Sequence, residues 1–362
     1  MDISIFVEVK RMVKQTEASE AGKSLKGIEG IGKTYLERLV LKGYTLQKLS
    51  YEQPERIARI LGCSVKKAKE IVNHARNKYF QEQGIPGPMT AKEYKERMKD
   101  IRWFSSGCKA LDNLLHGGFR SKSTVGLSGP FATGKTQCVL TTIANCIHQG
   151  YDAILFETEM DTFDPNRVEE IALKRGWNFD YEKLIVVSSD SIRDTGTQFL
   201  QYQIVEDKVN EEERNVGVFA IDSFTATFIR RFQGREEFPS RKAELNRHLN
   251  WLEDFAKRHN TCILLTCQVI EVPVTPQESR GQVLDSALVH SMTGTRYLPW
   301  GGSALTHGLS TWISFSKTYS KDIFRAEVFD SSRVKRESCY FTLDERGFAD
   351  LTEQQLKKVK GK

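Results

Sequence analysis

The segment Gly129-Pro-Phe-Ala-Thr-Gly-Lys-Thr136 constrains the fold of this chain more than any other feature. It fits the pattern G-x-x-x-x-G-K-[ST], follows an apolar, strand-like run at 124–128, and precedes a helical run at 137–148. In that context the loop amides turn onto phosphate oxygens, and the helix N-terminus adds its partial positive charge. The sequence therefore predicts a phosphate-binding loop in an α/β fold. Nucleotide contacts are expected from Gly129, Pro130, Phe131, Ala132, Thr133, Gly134, Lys135, Thr136 and Gln137.

Three side chains are predicted to act on the phosphates and their metal ion. Lys135 would reach the β- and γ-phosphates, and the Thr136 hydroxyl would hold Mg²⁺. A phosphate-binding loop also needs a metal-orienting carboxylate at the end of another strand, and Asp222 closes the apolar run at 218–221. An acid in that position is more often a helix cap, so the metal role of Asp222 depends on its pairing with the loop.

Hydrolysis requires a group that polarises a water molecule. The strand-like run at 153–156 is followed by Glu157 and Glu159, which places two carboxylates at the edge of the sheet where the nucleotide is expected. Either carboxylate could act on water, and surface acids on a loop are the alternative interpretation. Gln268 follows the run at 263–266, and a strand-end amide suits the sensing of a γ-phosphate.

Apolar runs alternate with helix-length segments from about residue 101 onward. Short, continuous apolar runs between helices predict a parallel sheet covered on both faces. These runs lie at 124–128, 153–156, 184–187, 216–221 and 262–266. Three further strand-like pieces, at 311–316, 325–329 and 338–342, are expected to extend the same sheet.

The basic charge of the chain is concentrated at its N-terminal end. Residues 1–100 carry 20 Lys and Arg against 13 Asp and Glu, a balance of +7, whereas the whole chain has a net charge of +6. The remaining residues therefore sum to −1. A basic appendage on a near-neutral body indicates a polyanionic partner, with nucleic acid the leading candidate, and a solvated basic face is the alternative.

Five segments are predicted along the chain: a basic flexible arm at 1–24, short glycine-punctuated helices at 25–80, a linker at 81–100, the core at 101–350 and a basic tail at 351–362. Helical patterns run from Thr34 to Lys42 and from Pro54 to Lys78. The helix-breaking sequence Gln83-Gly-Ile-Pro-Gly-Pro88 marks the linker.

Composition excludes several classes of protein. With 39% hydrophobic and 28% charged residues, the chain is not of the disordered or low-complexity kind. No stretch approaches the ~20 apolar residues of a membrane helix, and the first residues predict no secretory signal. Seven cysteines without a CxxC pair predict neither a disulfide framework nor a zinc site and favour a reducing compartment.

Taken together, the motifs resemble those of the RecA-type homologous recombinases, most closely archaeal RadA and its eukaryotic counterparts. The resemblance covers about residues 25–350 and keeps the motif order of that family. It rests on Trp103–Asp112, the phosphate-binding loop, Thr158-Glu159 with Phe163–Arg167, Ala220–Ser223 and Leu265–Val269. It implies a RecA-type ATPase core preceded by a small all-α helix-hairpin-helix domain.

The resemblance also implies an activity and the residues that perform it. The family consists of DNA-dependent ATPases that use ATP and Mg²⁺, form filaments on single-stranded DNA and exchange strands with a homologous duplex during recombination and repair. It implies that Glu159 and Lys135 are catalytic, that Gln268 links the γ-phosphate to a DNA-binding loop, and that Arg167 stacks on adenine. Asp330 would lie in a cap over a neighbouring subunit's ATP.

Three regions are predicted to bind DNA. The family's first DNA loop would span residues 230–241, where Arg230, Arg231, Arg235, Arg241 and Lys242 lie near Phe232 and Phe238. This mixture of charge and aromatic rings suits a single-stranded backbone, and a solvated surface is the alternative. The second loop would be the aperiodic stretch 270–302 with Arg280. In the helix-hairpin-helix, Gly30, Gly32 and Lys33 would grip a phosphate through backbone amides.

Several positions depart from the family pattern. The family has a Phe-x-x-Ala motif in the linker, whose phenyl ring plugs into the next subunit, whereas this chain has Pro88-Met-Thr-Ala91. The loop after Glu159 is one residue longer, Pro130 replaces a usual Glu, and the basic segment Ser332–Arg336 lacks the family's proline. A paralogue that acts as an ATP-switched accessory or mediator protein without forming filaments is therefore the alternative. A helicase or a small-molecule kinase on the same core is disfavoured.

Expected partners are single- and double-stranded DNA, further copies of the chain in a ring or filament, and other recombinase or mediator proteins. The expected location is an archaeal cytoplasm, in association with the nucleoid, or the nucleus if the source is eukaryotic.

Overall fold

The computed structural model describes residues 22–84, 86–160, 162–234, 236–273, 289–290 and 295–360. The chain divides into two compact units, which meet in sequence between Lys99 and Asp100. No helix among the described residues is long and apolar enough to cross a membrane.

The N-terminal unit is helical throughout its described part. Its helices are Lys33–Leu41, Leu46–Tyr51, Pro54–Leu61, Val65–Glu82 and Ala91–Arg97. They enclose a small core in which Leu25, Leu39, Leu49 and Ile71 are fully buried. Amphipathic helices of six to eighteen residues are stable here because they share this apolar centre.

The sequence prediction of one helical pattern from residue 54 to residue 78 was wrong. Gly62 adopts the left-handed conformation at φ 67° and ends the helix Pro54–Leu61. Ser64 then begins the next helix, with its side chain accepting a hydrogen bond from the amide of Lys67. The apolar spacing continues across this break because both helices face the same core, so periodicity alone did not reveal it.

A nine-stranded sheet forms the centre of the second unit. Its order is β14-β13-β12-β11-β3-β7-β6-β4-β5. Including two short strands before it and three outside it, the strands are β1 (Trp103–Phe104), β2 (Phe119–Arg120), β3 (Ser123–Ser128), β4 (Asp152–Glu157), β5 (Leu184–Val187), β6 (Val216–Asp222), β7 (Cys262–Cys267), β8 (Val269–Pro273), β9 (Val289–His290), β10 (Thr295–Pro299), β11 (Thr311–Lys317), β12 (Phe324–Ser331), β13 (Glu337–Asp344) and β14 (Gly347–Ala349).

The α/β class with a mostly parallel sheet is confirmed. Strands β11, β3, β7, β6, β4 and β5 are parallel to one another, and all five predicted apolar runs are strands. The three C-terminal pieces extend the sheet as predicted. They do so through antiparallel pairing of β11, β12, β13 and β14, which short connections permit.

Helices cover both faces of this sheet. The helices of the second unit are Lys109–Leu114, Lys135–His148, Pro165–Arg175, Thr195–Glu211, Ala226–Arg231, Phe238–His259, Gly302–His307 and Glu353–Lys360. Strand β6 shows why both faces need cover, because Val218 and Ala220 join one buried cluster while Phe219 and Ile221 join the other. Helices 135–148 and 165–175 pack on the first face, and helices 195–211 and 238–259 pack on the second.

The described parts of the stretch from residue 270 to 302 contain strands that its sequence did not indicate. Strands β8, β10 and β9 form a small antiparallel sheet, with Val269 opposite Pro299. The prediction of an aperiodic loop was therefore wrong for these strands. Residues 274–288 and 291–294, which include Arg280, lie outside the described residues.

Candidate nucleotide-binding and catalytic site

A cavity of about 670 Å³ opens at the carboxyl ends of the central parallel strands. Strands β3, β4, β6 and β7 end at Ser128, Glu157, Asp222 and Cys267, and the residues that follow or end them line this cavity. Loops at the carboxyl edge of an open α/β sheet form the crevice in which ligands bind. The topology therefore assembles in one place the segments that the sequence keeps up to 140 residues apart.

The predicted phosphate-binding loop surrounds one side of this cavity. A side chain at Gly129 (φ 149°) would place its Cβ 2.4 Å from the backbone oxygen of Phe315, so only glycine permits this close approach. Gly134, at φ 92°, is the N-cap of helix 135–148. Gly129 and the seven residues 131–137 line the cavity, whereas Pro130 does not. Phe131 is 91% exposed at the mouth.

Lys135 is held against the loop itself. Its Nζ donates hydrogen bonds to the backbone oxygens of Gly129 at 2.8 Å and Pro130 at 3.0 Å. Burial lowers the pKa of Lys135, and the negative charge of Asp222 is the largest opposing influence. Phosphate oxygens accept stronger hydrogen bonds than neutral carbonyls, so a bound triphosphate would compete well for this ammonium group.

Asp222 ends β6 as a buried side chain facing the same cavity. Its exposed fraction is 8%, and one of its oxygens accepts a hydrogen bond from the Thr266 hydroxyl. Thr136 also lines the cavity. Among the described residues there is no group of three or more His, Cys, Asp or Glu that could hold a metal ion by itself. A hydroxyl, one carboxylate and phosphate oxygens are nonetheless the donor set that Mg²⁺ takes in nucleotide sites, so the residues present fit that ion.

The two carboxylates after β4 have different environments. Glu157 is buried, and its Oε1 accepts hydrogen bonds from the amides of Thr162 at 2.9 Å and Phe163 at 3.0 Å. Its carboxylate thus stabilises the turn that follows. Glu159 lines the cavity instead. Of the two acids that the sequence left open, Glu159 is the one in position to reach a nucleotide-bound water.

Glu159 is paired with Gln268 across the cavity. The Nε2 of Gln268 donates a 2.6 Å hydrogen bond to Oε1 of Glu159, and its backbone amide donates to Oγ1 of Thr225 at 2.9 Å. Burial raises the pKa of Glu159, the Asp222 charge raises it further, and the Gln268 hydrogen bond opposes the rise. A partly buried carboxylate with a raised pKa is a feature of groups that exchange protons in catalysis.

Arg167 lies at the rim, where it joins three elements. Its guanidinium donates to Oε1 of Gln137 at 2.9 and 3.1 Å and to the backbone oxygens of Asp344 at 2.7 Å and Glu345 at 3.3 Å. It also pairs with Glu170. Arg167 does not line the cavity, but its partner Gln137 does. The Arg167 side chain is therefore fixed beside the cavity, partly by its hydrogen bonds to the β13–β14 turn.

Asp330 lies elsewhere. It is an exposed residue of β12, opposite Trp312 of β11 in the sheet register, and it does not line the cavity of its own chain. This agrees with a role toward a different subunit and does not test it.

Two contributors to the site were missed from the sequence. Thr266, which orients Asp222, lies near the end of an apolar strand, and a hydroxyl two residues before Gln268 was the available signal. Leu343 of β13 lines the cavity from more than 200 residues away in sequence, next to Gly134. Nothing local in the sequence indicated that contact.

The arginine-rich stretch includes the end of one helix and the start of another, and its described residues 232–234 and 236–237 between them are non-helical. Arg230 and Arg231 end helix 226–231, and Arg241 lies in the first turn of helix 238–259, over the rings of Phe238 at 4.9 Å and Trp300 at 5.0 Å. Lys242 follows Arg241 on that helix and, like it, is not buried. Arg235 lies outside the described residues.

One aromatic ring of this stretch was wrongly expected to stack on DNA. Phe232 is 8% exposed and belongs to the apolar cluster beneath the sheet. Phe238, in contrast, is 51% exposed. A local sequence pattern does not distinguish these two rings, because the burial of Phe232 depends on distant residues packing over it.

In the N-terminal unit, Gly30 and Gly32 flank a tight turn before helix 33–41. Gly30 has φ 90° and needs glycine, whereas Gly32 has φ −83°, which other residues adopt readily. Gly32 is the N-cap of the helix and Lys33 is its first residue, exposed to solvent. A helix N-terminus with a free lysine is suited to contact a phosphate.

At the linker position where the sequence pattern led us to expect phenylalanine, the chain has a surface residue. Pro88 is exposed, and the helix 91–97 that follows is closed by a capping box between Thr90 and Glu93. Tyr94 is 58% exposed.

The chain is similar to known proteins over most of its length. The family model described as Rad51 matches residues 97–351 of the chain. A DNA repair and recombination protein RadA from Metallosphaera sedula is 28% identical over 274 residues, which cover 72% of this chain and 81% of that protein. The matched residues include every element that borders the cavity.

Proposed function

The chain belongs to the Rad51 family, and on that premise we propose that it is a DNA-dependent ATPase that assembles on single-stranded DNA and promotes homologous pairing and strand exchange in recombination and repair. The observation that carries the proposal is the pairing of Glu159 with Gln268 at 2.6 Å above the phosphate-binding loop. Glu159 lies two residues after β4 and Gln268 directly follows β7, so their hydrogen bond couples the segments after these two strands.

The substrate is ATP, with its triphosphate against the loop amides. Lys135 leaves the carbonyls of Gly129 and Pro130 and donates to phosphate oxygens, which are stronger acceptors. Thr136 and Asp222 would hold Mg²⁺, and that ion would supply the charge neutralisation that phosphoryl transfer requires. Glu159 orients a water molecule and takes its proton. The hydrogen-bonded pair Arg167–Gln137 lies beside the adenine base.

DNA is bound through charge, with the sequence read by base pairing between strands. Arg230, Arg231 and Arg241 supply cations at one side of the ATPase core, with Arg235 and Arg280 as further members from the sequence. The Gly30–Lys33 turn of the N-terminal unit supplies a second, non-specific phosphate contact. Such contacts predict binding that weakens steeply with salt.

The test is ATP hydrolysis by the purified chain with and without single-stranded DNA, followed by exchange of a labelled strand into a homologous duplex. We expect DNA to accelerate hydrolysis and exchange to require ATP. Glu159→Gln should bind ATP and DNA but not hydrolyse. Hydrolysis at the same rate with and without DNA would contradict the whole proposal. Stimulation of hydrolysis by DNA without strand exchange would contradict its pairing step.

A second candidate function is favoured by Pro88. Loss of the buried phenyl anchor removes a subunit contact of about 3–5 kcal/mol, an amount that can decide between a filament and isolated molecules. The chain would then be an accessory paralogue that binds DNA and a recombinase partner, with ATP as a switch. ATP-dependent DNA binding without self-association would distinguish this function from the first.

A further inference from the structure

Arg230 reaches back toward the catalytic carboxylate instead of extending only to solvent. It is the fifth residue of helix 226–231, and its Nη2 donates a 3.3 Å hydrogen bond to the backbone oxygen of Thr158. Thr158 is fully buried and immediately precedes Glu159. The positive charge of Arg230 also acts on Glu159, whose pKa it lowers against the larger effect of burial.

The segment that carries Arg230 is tied to the ATPase site at several points. The amide of Ser223 donates to Oγ1 of Thr158 at 2.9 Å, and that hydroxyl donates back to the Ser223 oxygen at 2.6 Å. Thr225 accepts the amide of Gln268 at 2.9 Å. Within nine residues, the chain therefore passes from Asp222 to Ser223 and Thr225, the partners of Thr158 and Gln268, and then to Arg230.

The helix itself is firmly anchored, so a change at Arg230 is not absorbed by movement of its backbone. Phe228 is fully buried, and the buried hydroxyl of Thr227 donates to Oε1 of Gln198. Only the charged end of the helix is exposed, through Arg230 and Arg231. A change of the hydrogen-bond acceptor of Arg230 is thus the simplest way in which this helix can affect the ATPase site.

The guanidinium of Arg230 has a weak acceptor at present. A neutral carbonyl at 3.3 Å is at the long end of hydrogen-bond distances. A phosphate oxygen is charged, can accept two donors of a guanidinium at once, and binds about twice as strongly. A DNA phosphate that arrives at this helix would therefore displace the Thr158 carbonyl.

We propose that Arg230 is a positioning residue that restrains the Thr158–Glu159 segment in the DNA-free protein and releases it when a phosphodiester takes over its guanidinium. The inference rests on the proposed function, since it assigns to one residue the step by which DNA accelerates hydrolysis. Release frees Glu159 to leave Gln268 and face the water molecule. Binding a DNA phosphate and restraining the Thr158–Glu159 segment are then mutually exclusive uses of the Arg230 side chain.

The test compares steady-state ATP hydrolysis by wild type, Arg230→Gln and Arg230→Lys, first without DNA and then at saturating single-stranded DNA. We expect Arg230→Gln to raise the DNA-free kcat about two- to fivefold with an unchanged KM for ATP, as loss of one restraining hydrogen bond would do. The stimulation by DNA should fall by the same factor. A damaged site would lower kcat, so the rise separates a restraint from a merely structural role.

Arg230→Lys separates charge from geometry. It keeps the positive charge on a shorter side chain without the planar fork, so DNA affinity should stay within about twofold while the DNA-free rate is still raised. Arg247→Gln is the matched control. Arg247 lies over the Phe199 ring at 3.8 Å on helix 238–259, away from the cavity, and its loss should leave the DNA-free rate unchanged.

DNA-free rates of Arg230→Gln and Arg230→Lys at or below the wild-type rate, with wild-type stimulation by DNA, would overturn the inference and leave the proposed function intact. If DNA does not accelerate hydrolysis by the wild-type chain, the proposed function is contradicted. The DNA-free rates of wild type and the two Arg230 variants would still decide whether Arg230 restrains the site.

Discussion

Gln268 donates a 2.6 Å hydrogen bond from its side-chain amide to the carboxylate of Glu159. The two residues lie 109 positions apart and meet because β4, β6 and β7 are parallel neighbours that end at one edge of the sheet. Gln268 also directly precedes β8, the first strand of the small sheet. This relationship underlies the predictions that follow.

Lys135→Ala should abolish ATP-stimulated DNA binding. The substitution removes the only lysine among the described residues that line the cavity, and with it the cation that would hold the triphosphate. Fluorescence anisotropy of labelled single-stranded DNA, with and without ATP, measures the effect. Lys257→Ala, at a surface lysine paired with Glu253, is the control. ATP-dependent binding that survives in Lys135→Ala would refute the assignment of the loop.

Glu159→Gln should lower hydrolysis about 10²–10⁴-fold while ATP still binds. The amide cannot take a proton from water, but it keeps the size of the carboxylate. Because hydrolysis would normally release DNA, the variant should stay on DNA longer in the presence of ATP. Glu157→Gln is informative beside it, since Glu157 holds the turn at Thr162 and Phe163. If Glu157→Gln loses hydrolysis at full stability and Glu159→Gln does not, the two roles are reversed.

Thr266→Val should raise the Mg²⁺ concentration needed for half-maximal hydrolysis about 10- to 100-fold. Thr266 donates to the carboxylate of Asp222, and partners of that kind orient metal ligands. Thr342→Val is a matched control, because Thr342 is also a buried strand threonine that donates a hydrogen bond, to Asp322, and does not line the cavity. An equal shift of the Mg²⁺ requirement in both variants would attribute the effect to general destabilisation.

The sequence was sufficient for the framework of the site and insufficient for its fine structure. Continuous apolar runs predicted five of the six parallel strands of the large sheet, because a strand buried on both faces, such as β6, has few alternatives. The prediction that Glu159, Asp222 and Gln268 lie at the carboxyl edge of the sheet followed from those runs, and all three line the cavity. The choice between Glu157 and Glu159 depends on which carboxylate meets the amides of Thr162 and Phe163, and that depends on a turn without a sequence signature.

Long-range packing accounts for the other differences. Phe232 and Phe238 look alike in sequence, yet only Phe232 lies under distant apolar residues. Leu343 reaches the cavity because β13 pairs at the far side of β12, which no local pattern specifies. The break at Gly62 was hidden because the helices on either side bury the same core.

His248 should make the stability of the chain sensitive to acid. The ring is fully buried among aromatic side chains, and burial, helped by the charge of Arg247, lowers its pKa to about 3. Its Nδ1 lies 3.3 Å from the Tyr202 hydroxyl, and its Nε2 lies 3.5 Å from Glu244. In the unfolded chain this histidine has its ordinary pKa of 6.5, so between pH 6.5 and 3 it binds a proton that it does not bind in the folded chain.

Stability should therefore fall as the pH drops from about 6.5 toward 3, by on the order of a few kcal/mol from this group. His248→Gln should have a lower Tm at neutral pH and a shallower loss of Tm between pH 6.5 and 4.5. Thermal unfolding followed by circular dichroism at each pH provides the measurement. Parallel curves for the two proteins would show that other groups control the acid response.

Pro88→Phe should strengthen self-association. The substitution restores the family's Phe-x-x-Ala pattern in front of the capped helix 91–97, and a buried aromatic anchor at an interface contributes about 3–5 kcal/mol. Sedimentation velocity at several concentrations should show larger assemblies than wild type. Identical sedimentation of the two proteins would mean that the surface that receives the ring is absent from this chain.

The most direct test of the account is negative-stain electron microscopy of the wild-type chain with long single-stranded DNA, Mg²⁺ and a slowly hydrolysed ATP analogue. The account predicts regular helical filaments that Lys135→Ala fails to form. Scattered particles or small rings, in a protein that demonstrably binds the nucleotide, would contradict filament assembly and favour the accessory function.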